Sequence, residues 1–150
     1  MSDLTDLYQE VILDHNKRPR NFGTLADANR RALGHNPLCG DRLVLYLKVD
    51  GDRVAGVSFD GSGCAISKAS ASLMTDAIKG KTIADVRDLF SRFTAMVTTP
   101  IDQDIDEAGM GKLAALAGVR TFPVRVKCAS LAWHTLKAAL DQSQQPAQTE

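Results

Sequence analysis

The stretch 43–59 most constrains the fold, because it has the sequence pattern of an antiparallel β-hairpin. Leucine or valine recurs at every second position from 43 to 49, which is the period of a strand with one buried face. Asp50-Gly51 follows as a hairpin-turn dipeptide and leads into a second strand pattern at 54–59. Two strands alone are marginally stable in water. We therefore expect a third strand upstream, at 30–33.

Amphipathic helices are predicted on both sides of this hairpin. Apolar residues recur at helical spacing over 4–12, over 64–80 and over 82–100. A short helical turn is predicted at 113–117, and Phe122-Pro123 is predicted to be extended before a last helix that reaches about Leu140. Thr82 and Asp85 are spaced as in a capping box. The polar, unpatterned residues 141–150 are predicted to be a disordered tail. The chain thus reads as one domain over residues 1–140.

The amino-acid composition argues against several classes of function. Lys and Arg together number 18, as do Asp and Glu, so no net charge attracts nucleic acid to the surface as a whole. No apolar run approaches the roughly 20 residues of a membrane span, and the N-terminus lacks a secretory layout. We expect a cytoplasmic protein that binds neither nucleic acid nor membrane. Three cysteines in a reducing compartment favour metal binding, catalysis or plain burial over a disulfide framework.

The three cysteines are the candidate site. Cys39, Cys64 and Cys128 each lie where a loop meets a regular element, and Asp41 follows Cys39 by two residues. Three thiolates and one carboxylate suit a tetrahedral zinc ion or a small iron-sulfur cluster. His35 is near enough in sequence to compete with Asp41 as the fourth ligand. The simpler alternative is three unrelated buried cysteines, since free cysteine packs like a small apolar residue.

Other polar motifs have simpler interpretations. Gly61-Ser62-Gly63 lacks the remainder of a nucleotide fingerprint, and we expect it to let the backbone turn sharply and expose Cys64. The serines at positions 67, 70 and 72 lack the pattern of a hydrolase and are predicted to be helix-surface hydroxyls. The cations Lys17, Arg18 and Arg20 either complement a helix C-terminus or form a partner-docking patch. The acidic stretch 102–107 lacks the spacing of a calcium loop.

Several strings, in order along almost the whole chain, resemble the IscU/NifU family of iron-sulfur cluster assembly proteins, and in particular its SufU branch. The strings are Leu7-Tyr8 through Asp14-His15, Pro19-Arg20-Asn21, Cys39-Gly40-Asp41, Gly61-Ser62-Gly63-Cys64, Ala69-Ser70-Ala71-Ser72-Leu73-Met74, Gly118-Val119, Phe122-Pro123 and Arg125-Val126-Lys127-Cys128-Ala129 with Leu131 and Trp133. The resemblance implies an α/β (α+β) fold with a small antiparallel sheet of about three strands, packed on one face by helices. It also implies that Cys39, Asp41, Cys64 and Cys128 converge as metal ligands.

The SufU resemblance implies a specific activity within iron-sulfur cluster assembly. Its zinc-bound members accept persulfide sulfur from a SufS-type cysteine desulfurase, here on Cys39, as a co-substrate rather than as a stand-alone enzyme. A histidine of the desulfurase is implied to replace Cys39 on the zinc. Classical IscU scaffolds carry a histidine where this chain has Lys127, and that difference favours the SufU branch. The alternative is a scaffold that assembles a [2Fe-2S] cluster, or holds iron, on the same ligands and passes it to downstream iron-sulfur assembly proteins or apo-proteins.

Overall fold

The computed structural model describes residues 3–142 and 147–148, in four α-helices, four strands and one 3₁₀ segment. In chain order these are α1 (Asp3–Lys17), β1 (Arg30–Asn36), β2 (Asp41–Asp50), β3 (Arg53–Ser62), α2 (Ala65–Ile78), α3 (Ile83–Thr98), the 3₁₀ segment (Gly111–Thr121), α4 (Pro123–Leu140) and β4 (Ala147–Gln148). The predicted helices and strands are all present. The 3₁₀ segment is longer than the turn expected at 113–117 and continues past Gly118.

The strands form one sheet in the order β3-β2-β1-β4. β1 pairs antiparallel with β2, and β2 pairs antiparallel with β3, while the two-residue β4 lies parallel to β1. Every second residue of β2 is buried, so one face of the sheet is covered, and α4 packs against β1 and β2 there. The predicted antiparallel sheet with helices on one face is confirmed, and β1 extends beyond the predicted 30–33 to Asn36.

The core lies between this sheet face and the helices. Trp133 of α4 is fully buried and stacks on Phe93 of α3, with ring centroids 4.4 Å apart. Leu45 and Leu47 of β2 are also fully buried. Burying a leucine or phenylalanine side chain stabilises the fold by about 1.5–3 kcal/mol. The core therefore holds α4, and with it Cys128, rigidly against the sheet.

The hydroxyls of α2 are buried, so the prediction of helix-surface serines at 67, 70 and 72 is wrong. The exposed fractions are 7% for Ser67 and 0% for both Ser70 and Ser72. The α2 helix packs against α1, α4 and β3, which leaves it little free surface. Ser70 Oγ donates to the backbone oxygen of Ala129, and Ser72 Oγ accepts from the backbone nitrogen of Arg20. Sequence periodicity does not distinguish such internally satisfied hydroxyls from solvated ones.

His15 links α1 to α2 inside the protein. The side chain is 1% exposed, and its Nδ1 shares a 2.7 Å hydrogen bond with Ser72 Oγ. Burial lowers the pKa of this imidazole, and the nearby Arg20 cation lowers it further. The folded protein therefore holds His15 neutral under conditions in which the unfolded chain is already taking up a proton.

Acidification below the ordinary histidine pKa of about 6.5 is expected to destabilise the fold through His15. Because the unfolded state binds the additional proton, the free energy of unfolding falls as the pH drops, by at most about 1.4 kcal/mol per pH unit for one group. Urea unfolding between pH 7.5 and 5 should show a shallower decline in His15→Gln than in wild type. Other groups that titrate in this pH range are the same in both proteins, so the difference between the two slopes isolates His15. Equal slopes would contradict the expectation.

The domain prediction is only partly covered by the described residues. Of the predicted tail at 141–150, residues 143–146 and 149–150 lie outside them, while Ala147 and Gln148 form β4. The single domain over 1–140 and the disordered tail stay predictions. Within the described part of the chain, no helix combines the length and the apolar character that crossing a membrane requires.

Candidate metal centre

Cys39 lies on the four-residue turn that joins β1 to β2. Asn36 and Asp41 pair across the hairpin, and the turn closes with a 2.9 Å hydrogen bond from Gly40 N to Asn36 O. Gly40 has a φ of +71°, a left-handed conformation that glycine adopts without a steric penalty. The turn presents Cys39 as an exposed thiol directly before the buried start of β2.

Asp41 is a fully buried carboxylate at the first position of β2. Its Oδ1 accepts a hydrogen bond of 2.9 Å from the backbone nitrogen of Cys64, and its Oδ2 lies 3.4 Å from the Asn36 Nδ2 donor. None of the ion pairs within the described residues involves this carboxylate. A buried carboxylate without a cationic partner is costly, and a bound metal ion would compensate its charge.

Cys64 is the N-cap residue of α2. Its Sγ accepts from the backbone nitrogen of Ser67 at 3.5 Å, which holds the sulfur at the N-terminus of the helix. Gly61 has a φ of +146° and its backbone lies directly against Arg42 O, which leaves no room for a side chain. The structure therefore gives the Gly61-Ser62-Gly63 segment the steric role predicted for it.

Gly63 is expected to tolerate no side chain, because a Cβ atom there would lie 2.6 Å from Asp41 Oδ1. In Gly63→Ala the new methyl group should push the Asp41 carboxylate away from the thiols. We expect zinc affinity to fall by about 10–100-fold, the range seen when groups supporting a metal ligand are lost. Competition with a chelator measures this affinity. Gly56→Ala, where the new Cβ would make only ordinary van der Waals contacts from 3.5 Å, is the control and should bind zinc as wild type does.

Cys128 lies in the second turn of α4 and is fully buried. Its Sγ is 3.4 Å from the Sγ of Cys39, although the two residues are 89 positions apart in sequence. Burial raises the pKa of the Cys128 thiol, and hydrogen bonds with Cys39 and Cys64 raise it further. Without a metal this thiol therefore stays protonated, whereas a metal ligand must be a thiolate.

The structure brings three of the four predicted ligands into one cluster and places the fourth beside it. One ligand atom from each of Cys39, Asp41 and Cys128 lies within 4.8 Å of the other two. The Sγ of Cys64 lies outside that cluster but only 4.0 Å from Asp41 Oδ2. A tetrahedral zinc with Zn–S bonds of about 2.3 Å separates its ligand atoms by about 3.5–3.8 Å. The two separations of 3.4 and 4.0 Å bracket that range, and the donors are chemically suited to zinc, but Cys64 Sγ has to move closer to the cluster to complete a tetrahedral shell.

Histidine takes no part in this cluster. His35 pairs with Arg42 in the hairpin, one position from the Asn36–Asp41 pair, so its side chain emerges from the opposite face of the sheet. Among the described residues, the cluster holds cysteine and aspartate only. Of the two candidates for a fourth ligand, the structure places Asp41 and not His35 at the thiols.

Asn36 is a site residue that the sequence reasoning missed. Its side chain is fully buried, and its Nδ2 lies 3.4 Å from Asp41 Oδ2 and 3.8 Å from Cys128 Sγ. Its Oδ1 accepts from the backbone nitrogen of Leu38 at 3.2 Å, which shapes the turn that carries Cys39. The available signal was an asparagine directly before Pro37, a position where the side chain commonly forms a turn with the backbone two residues on.

Comparison with known proteins identifies the family. The sequence model of the NifU-like N-terminal domain matches residues 7–148. The chain belongs to the NifU-like N-terminal domain family. The zinc-dependent sulfurtransferase SufU of Bacillus subtilis is 46% identical to it over 137 residues, which cover 91% of this chain and 90% of that protein. The iron-sulfur cluster assembly scaffold protein IscU of Streptococcus pyogenes is 40% identical, with coverages of 95% and 88%.

A solved structure of the same kind agrees with the fold of this NifU-like chain. The crystal structure of a putative SUF-system iron-sulfur cluster assembly scaffold protein from Fervidobacterium islandicum superposes with a TM-score of 0.81. It is 35% identical, and the match covers 93% of this chain and 99% of that one. The antiparallel sheet with helices on one face is therefore the family architecture.

Arg125 is a cation near the thiols of this NifU-like site. It precedes Cys128 by one helical turn on α4. A hydrogen bond to the Cys128 sulfur, together with the negative charge of Cys64, raises the pKa of the guanidinium. Arg18 and Arg20, by contrast, form ion pairs with Asp14 at 3.2 and 2.7 Å near the end of α1. The two arginines thus stabilise the helix end, and Arg125 offsets charge at the site.

Proposed function

We propose that the chain acts in iron-sulfur cluster assembly as a zinc-bound sulfur acceptor, in which Cys39, Asp41, Cys64 and Cys128 hold the metal and Cys39 takes the sulfur. The observation that carries the proposal is the contrast between two thiols 3.4 Å apart: Cys39 is exposed on a turn, and Cys128 is fully buried in a helix. A partner can reach only the first. The names of the relatives, a zinc-dependent sulfurtransferase and an assembly scaffold, support the same process.

Zinc would keep the coordinating sulfurs as thiolates near neutral pH, where a free cysteine with a pKa of about 8.5 is mostly protonated. This matters most for Cys128, whose burial otherwise favours the thiol. The positive charge of Arg125 offsets part of the negative charge that three thiolates and the Asp41 carboxylate bring together. The surrounding protein thus supplies a preformed anionic pocket for a divalent cation.

The reaction of Cys39 is a thiol-disulfide exchange. The Cys39 thiolate attacks the terminal sulfur of a persulfide on a SufS-type cysteine desulfurase. A new S–S bond forms at Cys39, the S–S bond of the donor breaks, and its electron pair stays on the donor cysteine as a thiolate. The sulfane sulfur thus moves without a net change in oxidation state. In this role the chain is a co-substrate of the desulfurase rather than a stand-alone enzyme.

A cysteine desulfurase assay paired with metal analysis tests this function. The full chain, as purified, should contain stoichiometric zinc and stimulate cysteine turnover, and mass spectrometry should find one additional sulfur on the peptide containing Cys39. Removal of the zinc by a chelator should abolish the stimulation. A zinc-loaded protein that acquires no sulfur from an active desulfurase would overturn the proposal.

The second candidate is a scaffold that assembles a [2Fe-2S] cluster on the same cysteines and Asp41 for delivery to apo-proteins. The observation that favours it is the similarity to a protein named as an IscU scaffold. Thiolates are also the usual ligands of such clusters. Visible charge-transfer absorption in the protein purified without oxygen, with iron in place of zinc, would support the scaffold role.

A further inference from the structure

A cleft of about 640 Å³ opens beside the thiols, between the end of the 3₁₀ segment and the starts of α2 and α4. Its walls are largely apolar and include Ile12, Ile66, Ala115, Val119 and Phe122. A volume of several hundred Å³ and an apolar lining with few polar groups are typical of small-molecule sites. Of the four candidate metal ligands, Cys64 alone lines this space.

The polar end of the cleft is defined by Cys64 and Arg125, which both line it. Arg125 is the single cation among the described residues of the lining, and Cys64 is the lining residue that would carry negative charge as a metal-bound thiolate. A guanidinium has five N–H donors, and Arg125 is an exposed residue, so donors remain available to a ligand in the cleft. These donors can bind a carboxylate, which arginine commonly holds through two parallel hydrogen bonds in a bidentate geometry.

The position of Arg125 sets the shape of the ligand. Because the guanidinium lies at the thiol end of the cleft, a carboxylate bound there is held close to the sulfurs, and the apolar space extends away from them. A matching ligand has a thiol and a carboxylate near each other at one end and an apolar arm at the other. N-acylated cysteine has this arrangement.

We propose that this cleft binds a cysteine-derived thiol with an apolar N-substituent, its carboxylate on Arg125, and that this thiol removes the sulfane sulfur from Cys39. The inference rests on the proposed function for the sulfur on Cys39. The ligand thiolate attacks the outer sulfur of the protonated persulfide, Cys39–S–SH. A new S–S bond forms in the ligand, which leaves as a persulfide carrying the proton, while the old S–S bond breaks and Cys39 returns as a thiolate. No further oxidant or reductant is required.

Binding is tested first, with N-hexanoyl-S-methyl-L-cysteine as a probe that cannot react. Titrated into the zinc-loaded full chain, it should shift the amide NMR signals of Gly118 and Val119 with a saturable Kd. Arg125→Gln should raise this Kd about tenfold, as expected for the loss of a charge-assisted hydrogen bond. Lys127→Gln removes a neighbouring charge that does not line the cleft and should change the Kd by less than about twofold.

Gly118→Leu fills the cleft without changing a thiol or Arg125. The Cβ position of Gly118 meets no atom within 4 Å, so the larger side chain can extend into the open space. We expect it to raise the Kd at least tenfold, whereas Gly118→Ala, which fills little of the volume, should bind within about threefold of wild type. Wild-type affinity in Gly118→Leu would overturn the cleft assignment.

Sulfur removal is tested with the protein carrying persulfide on Cys39. N-hexanoyl-L-cysteine should remove this sulfur faster than its carboxamide does, and the ratio of the two rates should fall about tenfold in Arg125→Gln. Comparing ratios cancels the difference in intrinsic reactivity between the two thiols. If the wild-type protein acquires persulfide on Cys39 normally but does not bind the probe, only the cleft inference is overturned. A protein that binds the probe but never acquires a persulfide overturns the proposed function instead, and with it the transfer step.

Discussion

Replacing Cys39 by serine is expected to lower sulfur acceptance from a cysteine desulfurase at least about 100-fold, because a hydroxyl is not a competent nucleophile toward sulfur at neutral pH. Cys64 and Cys128 should not substitute for it, since the first caps a helix and the second is fully buried. The measurement is the number of sulfur atoms added per chain at the end of the reaction, by mass spectrometry of the intact protein.

The matched control is Leu38→Ala, which changes the neighbouring residue of the same turn and removes only an exposed side chain. Its final sulfur load should stay within about twofold of wild type. Sulfur acceptance by Cys39→Ser at the wild-type level would show that another cysteine is the acceptor and end the assignment of Cys39.

Replacing Cys128 by serine is expected to have the largest effect on metal binding. Cys128 supplies the buried thiol of the cluster, and a serine hydroxyl there is neither ionised nor a soft donor. We expect zinc affinity to fall by more than about 100-fold, beyond the 10–100-fold typical of supporting groups. Competition against a chelator of known affinity gives the change directly.

Weaker metal binding should also lower the free energy of unfolding. A ligand present at 1,000 times its Kd stabilises the folded state by about 4.1 kcal/mol, and a 100-fold weaker site leaves about 1.4 kcal/mol of this. The difference of about 2.7 kcal/mol corresponds to a fall in Tm of roughly 5–11 °C for a chain of this size. Ser130→Ala, two residues along α4, is the control and should retain both zinc and Tm. A zinc-binding Cys128→Ser protein with an unchanged Tm would remove Cys128 from the metal site.

The comparison of sequence and structure shows where local patterns suffice. The hairpin at 43–59 was predicted because alternation and an Asp-Gly turn are local signals, and the observed β2 and β3 contain both predicted segments. The cap of α3 was predicted for the same reason, and Thr82 Oγ1 accepts from the backbone nitrogen of Asp85 as expected. Turn and cap preferences depend on a few consecutive residues, so they can be predicted from the sequence alone.

Non-local packing explains the errors. Ser70 and Ser72 of α2 look like surface residues in sequence, because their hydrogen-bond partners Ala129 and His15 come from α4 and α1, more than 50 positions away. Asn36 likewise has only the sequence signal of a turn residue. Its role at the site depends on its contacts with Asp41 and Cys128 in the folded protein. The cleft next to Cys64 exists only because α1, α2, the 3₁₀ segment and α4 meet there.

By itself, the sequence determined the strand and helix periods, the turn residues, the Thr82 cap, the family, and the three cysteines with two candidates, Asp41 and His35, for a fourth metal ligand. Only the tertiary structure decided that Asp41 rather than His35 lies at the thiols, that Cys39 is exposed while Cys128 is buried, and that Arg125 faces an apolar cleft. The physical reason is that these relations depend on the packing of α4 across β1 and β2. This packing brings residues 89 positions apart to within 3.4 Å and leaves no trace in any short stretch of the chain.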